Sequence, residues 1–410
     1  MTIAVVGAGA AGLMAAIQAA RAGPGREVIA LDGARTLGAK ILVSGGGRCN
    51  VTHHAVDETA FAGSTRPAIR KVLRRFDVDR TVEFFGERGV ALVREDTGKL
   101  FPVSDRARTV LEALVGAARE AGVTLRHPWR VERIDRREGG FVLHSASGER
   151  LEADRVVLAS GGRSLPKTGS DGHGYTLARS LGHSITPRVF PGLVPLTLPR
   201  GHPLSALSGL SVPVRLAVRG GSARSRASFE GALLCTHFGL SGPAVLDVSR
   251  YWIDARLDDP SAALMARWLP GTTAEALDAA LRGLGGGTLG GLLERWLPDR
   301  LAGVLCSLAG VEAGRRGHRL SREERTALVR AVLEWPLPVT GDRGYAYAEV
   351  TAGGVPLAEV RLETLESRAC PGLYLCGEIC DVDGRIGGFN FQWAWASGYV
   401  AGRGAAGDAG

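Results

Sequence analysis

IAVVGAGAAGLMAAIQAARAGPGREVIALD, residues 3–32, is the stretch that decides how this 410-residue chain folds. Residues 3–6 are apolar throughout and read as a short buried strand. Gly7, Gly9 and Gly12 then follow in the spacing G-x-G-x-x-G, and Ala-rich residues 13–22, free of Gly and Pro, read as a helix. Glu27–Leu31 is a second strand that ends in Asp32, 25 residues after Gly7. The pattern suits a dinucleotide. Gly7 permits the tight turn, Gly9 lets backbone approach a pyrophosphate, and Gly12 lets the helix pack close on the strand. The phosphates then sit on the positive end of the helix. An acid at Asp32 accepts hydrogen bonds from the adenosine ribose and would repel a 2′-phosphate.

Length and composition set the frame. A chain of 410 residues suits two or three domains, and 45% hydrophobic with 22% charged residues is ordinary for a globular protein. The apolar start has no basic n-region, and its glycines fall in the nucleotide spacing, so it is not read as a signal peptide. No later apolar run reaches the ~18–20 residues of a membrane span. The expectation is a cytoplasmic protein without a membrane partner. The formal charge is +8, and all but four of the 50 Lys and Arg residues are arginine, the lysines being Lys40, Lys71, Lys99 and Lys167. The densest basic cluster, Arg66, Arg70, Lys71, Arg74 and Arg75, reads as a solvated helix face, so no nucleic-acid partner is expected. The six cysteines form no C-x-x-C pair, so neither a zinc ribbon nor a thioredoxin-type pair is indicated. Cys376 and Cys380 read as two buried thiols beside a cofactor. No metal is expected.

Further along, LGAKILVSGGGRCNVT (37–52) carries three consecutive glycines, which suit backbone pressed against a flat ligand with its N–H groups turned to oxygens. Arg48 and Asn50 add donors there. Residues 66–90 read as amphipathic helix, with Val72, Phe76, Val82, Phe84 and Phe85 apolar; 92–105 reads as strand, turn and strand. Ser104 is the expected N-cap of a helix through Ala121. Residues 124–154 alternate in period two and read as a three-stranded antiparallel meander. The strand at 156–158 runs into Ala159, Ser160 and Gly161, where small residues let the chain pass close to a cofactor. PKTGSDGHGY (166–175) is a polar Gly-rich loop. Residues 193–253 read mostly as strands, and THFGLSGPAVL (236–246) as a strand end with a helix start. Residues 261–335 read as helical. In GLYLCGEICDVDGRIGGFNFQWAWASGY (372–399), a strand ends at Gly377-Glu378, and Gly387-Gly388 opens a helix. The expected divisions are 1–190 and 361–410 for a cofactor domain, 191–260 and 336–360 for a β-rich domain, and 261–335 for a helical insert.

Two nucleotide-facing ends therefore lie far apart in sequence. The first βα unit takes an ADP half. The second end offers an acid for polyol hydroxyls and a positive helix end for an electron-rich ring edge, where it would stabilise an anionic reduced ring. A cofactor needing both is FAD.

The segments LGAKILVSGGGRCNVT, GKLFPVSD, PKTGSDGHGY, THFGLSGPAVL, VTAGGVPLAEV and CGEICDVDGRIGGFNFQWA resemble the bacterial HI0933-like flavoproteins over nearly the full chain. The resemblance implies an α/β fold: a Rossmann-type FAD-binding domain, in two-dinucleotide-fold style, interrupted by a β-barrel-like domain with a helical insert. Relatives include an aminoacetone oxidase and a flavoprotein of bile-acid dehydroxylation, so the cofactor transfers more firmly than the reaction. It further implies that Gly7, Gly9, Ala10, Ala11 and Gly12 hold the pyrophosphate and Asp32 the ribose. Ser44, Gly45, Gly46, Gly47, Arg48, Cys49 and Asn50 would follow the phosphates and ribityl chain. Val131 would touch adenine through its backbone, with Ala159, Ser160 and Gly161 near the nucleotide. Gly377 and Glu378 would bind the ribityl or phosphate region, and Gly388, Asn390, Phe391 and Gln392 would bound the isoalloxazine. The chain departs from the family at Asp32, where Glu is frequent, at His173, where an acid is more usual, and at Cys380, where an aliphatic residue is usual.

Thr168, Ser170, His173 and Thr351 are candidate substrate contacts. His173, His237 and Tyr345 are candidate acids or bases, and no catalytic residue is assigned among them. No second G-x-G-x-x-G follows a strand, so NAD(P)H would dock transiently over the flavin, or oxygen would be the acceptor. The leading reading is an FAD-dependent oxidoreductase acting on a small metabolite. A tRNA-modifying flavoprotein and a non-catalytic redox sensor using Cys376 or Cys380 are the alternatives; dispersed arginines argue against the first.

Overall fold

The computed structural model describes residues 1–220 and 227–408. It divides into two compact units, Met1–Pro191 with Glu349–Gly410, and Gly192–Ala348.

In the first unit the opening strand Thr2–Val6 lies between Glu27–Leu31 and Arg155–Leu158, parallel to both. Leu373–Leu375 and Thr124–Arg126 extend the parallel sheet on either side. Glu366–Ser367 and then Val360–Arg361 add antiparallel strands, making seven. The central strands are apolar on both faces, as a parallel sheet covered on both sides requires; Ile3, Val5, Ile29, Val157 and Leu375 are all buried. The helix Ala10–Ala22 packs along the C-terminal helix Phe389–Ala405, and small residues set the distance between them. A Cβ at Gly398 would stand 2.5 Å from the Ala11 carbonyl oxygen, and one at Gly402 2.2 Å from that of Ala15. The approach is backbone to backbone, which no larger residue permits.

The α/β Rossmann-type expectation holds for this unit, with local differences. The antiparallel meander is present but begins at Val131–Arg137, continuing through Gly140–Ser145 and Arg150–Ala153. Thr124–Arg126 instead pairs with Glu27–Leu31 in the parallel sheet. Residues 66–90 form two helices, Arg66–Leu73 and Val78–Gly86, because Asp77 caps the second by accepting from Arg80 N at 3.0 Å; Val82 is exposed. Ser104 is not an N-cap. Its hydroxyl donates to Thr109 Oγ1 at 2.8 Å, Asp105 turns the chain at φ 55°, and the helix starts at Ala107.

The second unit is built on a seven-stranded antiparallel sheet. Its order is Trp335–Leu337, Ala263–Arg267, Ser211–Arg219, Ser228–Thr236, Gly239–Ser241, Leu196–Thr197 and Gly341–Asp342. The helix Pro243–Asp258 packs on this sheet, starting with proline at its first position, where a missing N–H costs nothing. Helices Ala274–Arg282, Leu289–Leu293, Asp299–Leu308 and Arg322–Leu333 follow. The helical stretch therefore does not begin at 261: Leu264 and Ala266 alternate with less buried neighbours and form a strand. The chain re-enters the first unit at Glu349 rather than after 360. The part of the strand expectation that falls on 221–226 lies outside the described residues.

Within the first unit, His183 and Glu359 tie the segment after one helix to the far edge of the sheet, with Nδ1 and Oε2 2.7 Å apart. Burial pushes the Glu359 carboxyl up, but hydrogen bonds from Ser184 and His183 outweigh it and hold the group below the usual carboxylate range. A carboxyl depressed on folding adds stability above its unfolded pKa and loses it as pH falls through the folded value. Glu359→Gln is therefore expected to lower the melting temperature at neutral pH, with the gap to wild type closing as pH falls below about 4. A gap constant with pH would contradict this role.

Candidate functional site

The glycine loop after the opening strand has the geometry a pyrophosphate needs. Gly7 sits at φ 101°, and a Cβ there would meet the Ala159 carbonyl oxygen at 2.5 Å. A Cβ at Gly12 would fall 1.8 Å from the Gly7 carbonyl oxygen. A Cβ at Gly9 would meet nothing within 4 Å, so the space before the helix N-terminus is open. Asp32 holds this loop: Ala8 N and Ala34 N each donate to one of its carboxylate oxygens at 2.7 Å. Each oxygen keeps a lone pair for a ribose hydroxyl. Ala10 and Ala11 begin the helix, as the pyrophosphate reading expects.

The second glycine loop is wound left-handed, with Gly45, Gly46 and Gly47 at φ 55°, 69° and 89° and Cys49 at 61°. Ser44 closes it by donating to the Ile41 carbonyl at 2.7 Å. Burial pushes the Cys49 thiol up to about 12, so it stays protonated. The Arg48 side chain is engaged by other groups. It pairs with Glu95 at 2.8 Å and lies over Phe101, 4.0 Å from the ring centroid.

Three polar atoms near these loops are buried without a partner: Asn50 Oδ1, Ser160 Oγ and Ser170 Oγ. A Cβ at Gly161 would stand 2.7 Å from Ser170 Oγ, and one at Gly174 1.8 Å from Ser160 Oγ. Buried polar atoms are almost always hydrogen-bonded, so three orphans call for a ligand rich in hydroxyls and phosphates. Together with the open space at Gly9, they fit FAD. Val131 is buried at the start of the meander, beside the register shift between Val131 and Arg133.

Glu378 sits in a network that sequence reasoning missed. Lys40 pairs with it, Ser164 Oγ donates to Oε1 at 2.7 Å, and Thr351 N donates to the same oxygen at 2.9 Å. Lys40 also donates to Ser164 Oγ at 2.5 Å. The signal available was compositional: Lys40 is one of four lysines in an arginine-rich chain. The adjoining Gly377 is clamped by the C-terminal helix, its N–H donating to Ser397 Oγ at 2.9 Å and its carbonyl accepting from Trp393 Nε1 at 3.1 Å. Lys40→Met leaves a largely buried carboxylate without its cation and is expected to cost about 1–3 kcal/mol of stability. Pairing it with Glu378→Gln in chemical denaturation should recover part of that loss; strict additivity would show that the two groups do not interact.

At the other end, Gly388 lies against Thr52, at φ 95°, and opens the C-terminal helix. The side chains of Asn390 and Gln392 are committed to the fold. Asn390 accepts from Gly384 N at 2.8 Å and donates to Gly384 O at 3.0 Å. Gln392 accepts from Thr52 and Thr81 hydroxyls at 2.7 and 2.9 Å and donates to the Phe76 carbonyl at 2.8 Å. Phe391 stacks on Trp395, 5.4 Å between centroids. Contacts from Asn390 and Gln392 to a flavin ring are thus left to backbone.

The substrate candidates divide. Thr351 is buried, its hydroxyl accepting from Arg163 N at 2.7 Å and Ser164 N at 3.0 Å, so it holds a loop. Thr168 donates to the Leu165 carbonyl at 2.7 Å. His173 Nε2 lies 3.1 Å from the Glu132 carbonyl oxygen, and the His173 backbone N–H donates to Asp171 Oδ1 at 3.0 Å. Ser170 alone keeps a free hydroxyl. His237 and Tyr345 belong to the second unit. Cys376 and Cys380 are free and wholly buried; burial raises the first well above the ordinary thiol value and the second to about 12. Inert thiols do not suit a redox sensor. Among the described residues no cluster of His, Cys, Asp and Glu is placed to hold a metal, and no helix is long and apolar enough to cross a membrane.

Comparison with known proteins identifies the family and the fold. The HI0933-like protein Rossmann domain matches residues 1–404. The chain is 36% identical to the 3-dehydro-bile acid delta(4,6)-reductase of Clostridium scindens, covering 98% of each chain. It is 34% identical to the ribosomal RNA dihydrouridine synthase of Escherichia coli, covering 97% of this chain and 96% of that one. Among solved structures, the 3-ketosteroid delta1-dehydrogenase of Sterolibacterium denitrificans shares the fold, with TM-score 0.52, 14% identity and 99% of each chain covered. The chain belongs to the HI0933-like family of Rossmann-fold flavoproteins and is an FAD-dependent oxidoreductase.

Proposed function

We propose that this protein is an FAD-dependent reductase that saturates a carbon–carbon double bond conjugated with a carbonyl in a small metabolite. Electrons come from NADH or NADPH docked transiently over the flavin. The observation that carries this reading is the full-length similarity to a bile-acid delta(4,6)-reductase and a dihydrouridine synthase. Both names describe adding two hydrogens across a ring double bond, and in each ring that bond is conjugated with a carbonyl.

FAD, when bound, supplies hydride transfer at its ring. The chain's own residues do the rest. The loop of Gly7, Gly9 and Gly12 with the helix from Ala10 binds the pyrophosphate, and Asp32 orients both loop and ribose. Asn50, Ser160 and Ser170 meet the hydroxyls and phosphates that their orphaned atoms lack, with the backbone of Ser44, Gly45, Gly46 and Gly47 alongside. Lys40, Ser164 and Thr351 fix the Glu378 carboxylate beside the ribityl chain. The start of the C-terminal helix at Gly388 favours negative charge at the pyrimidine edge of the ring. His173, held by Glu132 and Asp171, is not poised as a proton donor. The second unit is read as a barrel-like β domain with a helical insert, and the protein as cytoplasmic.

The test is anaerobic turnover of cyclic enones with NADH or NADPH. The expected product has gained two hydrogens by mass spectrometry. Amine oxidation with release of hydrogen peroxide, and no enone turnover, would overturn the reading in favour of an oxidase.

A further inference from the structure

The second unit holds an aromatic–arginine stack that the flavin site does not use. The Arg343 guanidinium carbon lies 3.5 Å from the centroid of the Tyr347 ring and 4.2 Å from that of Phe238. His237 meets Phe238 edge-on at 5.1 Å. These groups face solvent: Tyr347 is 51% exposed, His237 is exposed, and Phe238 and Arg343 are partly so. Hydrogen bonds from backbone N–H groups fix both arms of the stack. Gly344 N donates to Asp342 Oδ1 at 2.7 Å, Tyr347 N to the Gly344 carbonyl at 3.1 Å, and Arg343 N to the Pro195 carbonyl at 3.1 Å. Phe238 sits in the turn between Ser228–Thr236 and Gly239–Ser241, closed by Gly239 N donating to Thr236 Oγ1 at 3.1 Å.

Arg343 is held by aromatic rings rather than by a carboxylate. In the same unit Arg215 pairs with Glu230, Arg315 with Glu324 and Arg325 with Asp278. Among the described residues the Arg343 guanidinium meets no carboxylate or carbonyl. A planar cation already fixed against two rings has lost its rotamer freedom before binding, and its N–H fork matches the oxygens of a phosphate. An exposed aromatic beside it accepts the face of any flat heterocycle.

We infer that Phe238, Arg343 and Tyr347 form a nucleotide-binding site, with a flat base stacked on the aromatic rings and a phosphate on the guanidinium edge. The inference rests on the proposed reduction, which brings a nucleotide to the enzyme as half of the NAD(P)H donor; a unit of a single RNA strand would offer the same recognition chemistry. An RNA strand bound here would overturn the expectation of no nucleic-acid partner, because one stacked arginine serves where dispersed charge does not.

The test uses the full-length, FAD-loaded protein and its Arg343→Ala, Arg343→Lys and Tyr347→Leu variants, titrated with NADP⁺ and, separately, hexauridylate. Wild type is expected to bind one of the two. Arg343→Ala and Tyr347→Leu should each weaken that binding about tenfold or more, with Arg343→Lys in between. Flavin content and circular dichroism should not change. Loss with NADP⁺ assigns the site to the electron donor, and loss with hexauridylate to an RNA strand. Binding of neither probe, or equal binding by all variants, would overturn the inference. Enone reduction by dithionite-reduced enzyme does not involve the stack, so its failure would count against the proposed reaction instead.

Discussion

Replacing Gly9 with valine is expected to give a folded protein that no longer holds FAD. A Cβ at this position meets no protein atom within 4 Å, and the residue's φ of −81° suits any side chain. The substitution therefore leaves the protein's own packing intact. Its isopropyl group enters the space in front of the first free N–H groups of the Ala10–Ala22 helix, where the pyrophosphate must come within hydrogen-bond distance. FAD affinity should fall on the order of 100-fold or more, about 2.7 kcal/mol. Circular dichroism and apoprotein melting should match wild type, while the purified protein is colourless. A yellow Gly9→Val protein would mean that the loop does not bind the diphosphate. Gly12→Val is the contrast, since its Cβ would sit 1.8 Å from the Gly7 carbonyl oxygen and the fold itself should fail.

The second large effect concerns the seam between the first and last helices. Gly402→Val sets a branched side chain where even a Cβ lies 2.2 Å from the Ala15 carbonyl oxygen. Backbone atoms cannot move aside as a flexible side chain can, so the helices must separate. Separation uncovers Trp395 and the small-residue face of the first helix, and pulls on the Gly377 clamp made by Trp393 and Ser397. The expected destabilisation is about 3 kcal/mol or more, and expression in inclusion bodies is its practical form. Gly303→Ala is the control. It lies in the helix Asp299–Leu308 with open space at its Cβ, and it should stabilise by roughly 0.5–1 kcal/mol. Similar melting for both variants would show that helix propensity, not close approach, governs the Gly402 position.

Both sites differ in how far the sequence exposes them. The dinucleotide loop was legible because its three glycines, two strands and acid are adjacent in sequence and each has one physical job. Residues that act across the fold were harder to read. Lys40 and Ser164 meet Glu378 over separations of 338 and 214 residues, which no local pattern encodes. Asn390 and Gln392 were expected at the ring because the family resemblance implies it; their amides instead close a turn and join Thr52 to Thr81. Burial, which decides between those roles, is not a property of a short motif. The strand Ala263–Arg267 was hidden for a related reason: ALMAR has helix-forming composition, and only pairing on both sides makes it a strand. Period-two alternation misled at Thr124–Arg126 as well, since three residues fit an edge of a parallel sheet as readily as a meander.

The most direct test of the central claim is the oxidative half-reaction followed by flavin absorbance under strictly anaerobic conditions. NADH or NADPH is expected to bleach the bound flavin, and a cyclic enone added afterwards should restore the colour within the mixing experiment, one equivalent of saturated product forming per flavin. A flavin that stays bleached in the presence of enones, and regains its colour only when air is admitted, would contradict the account.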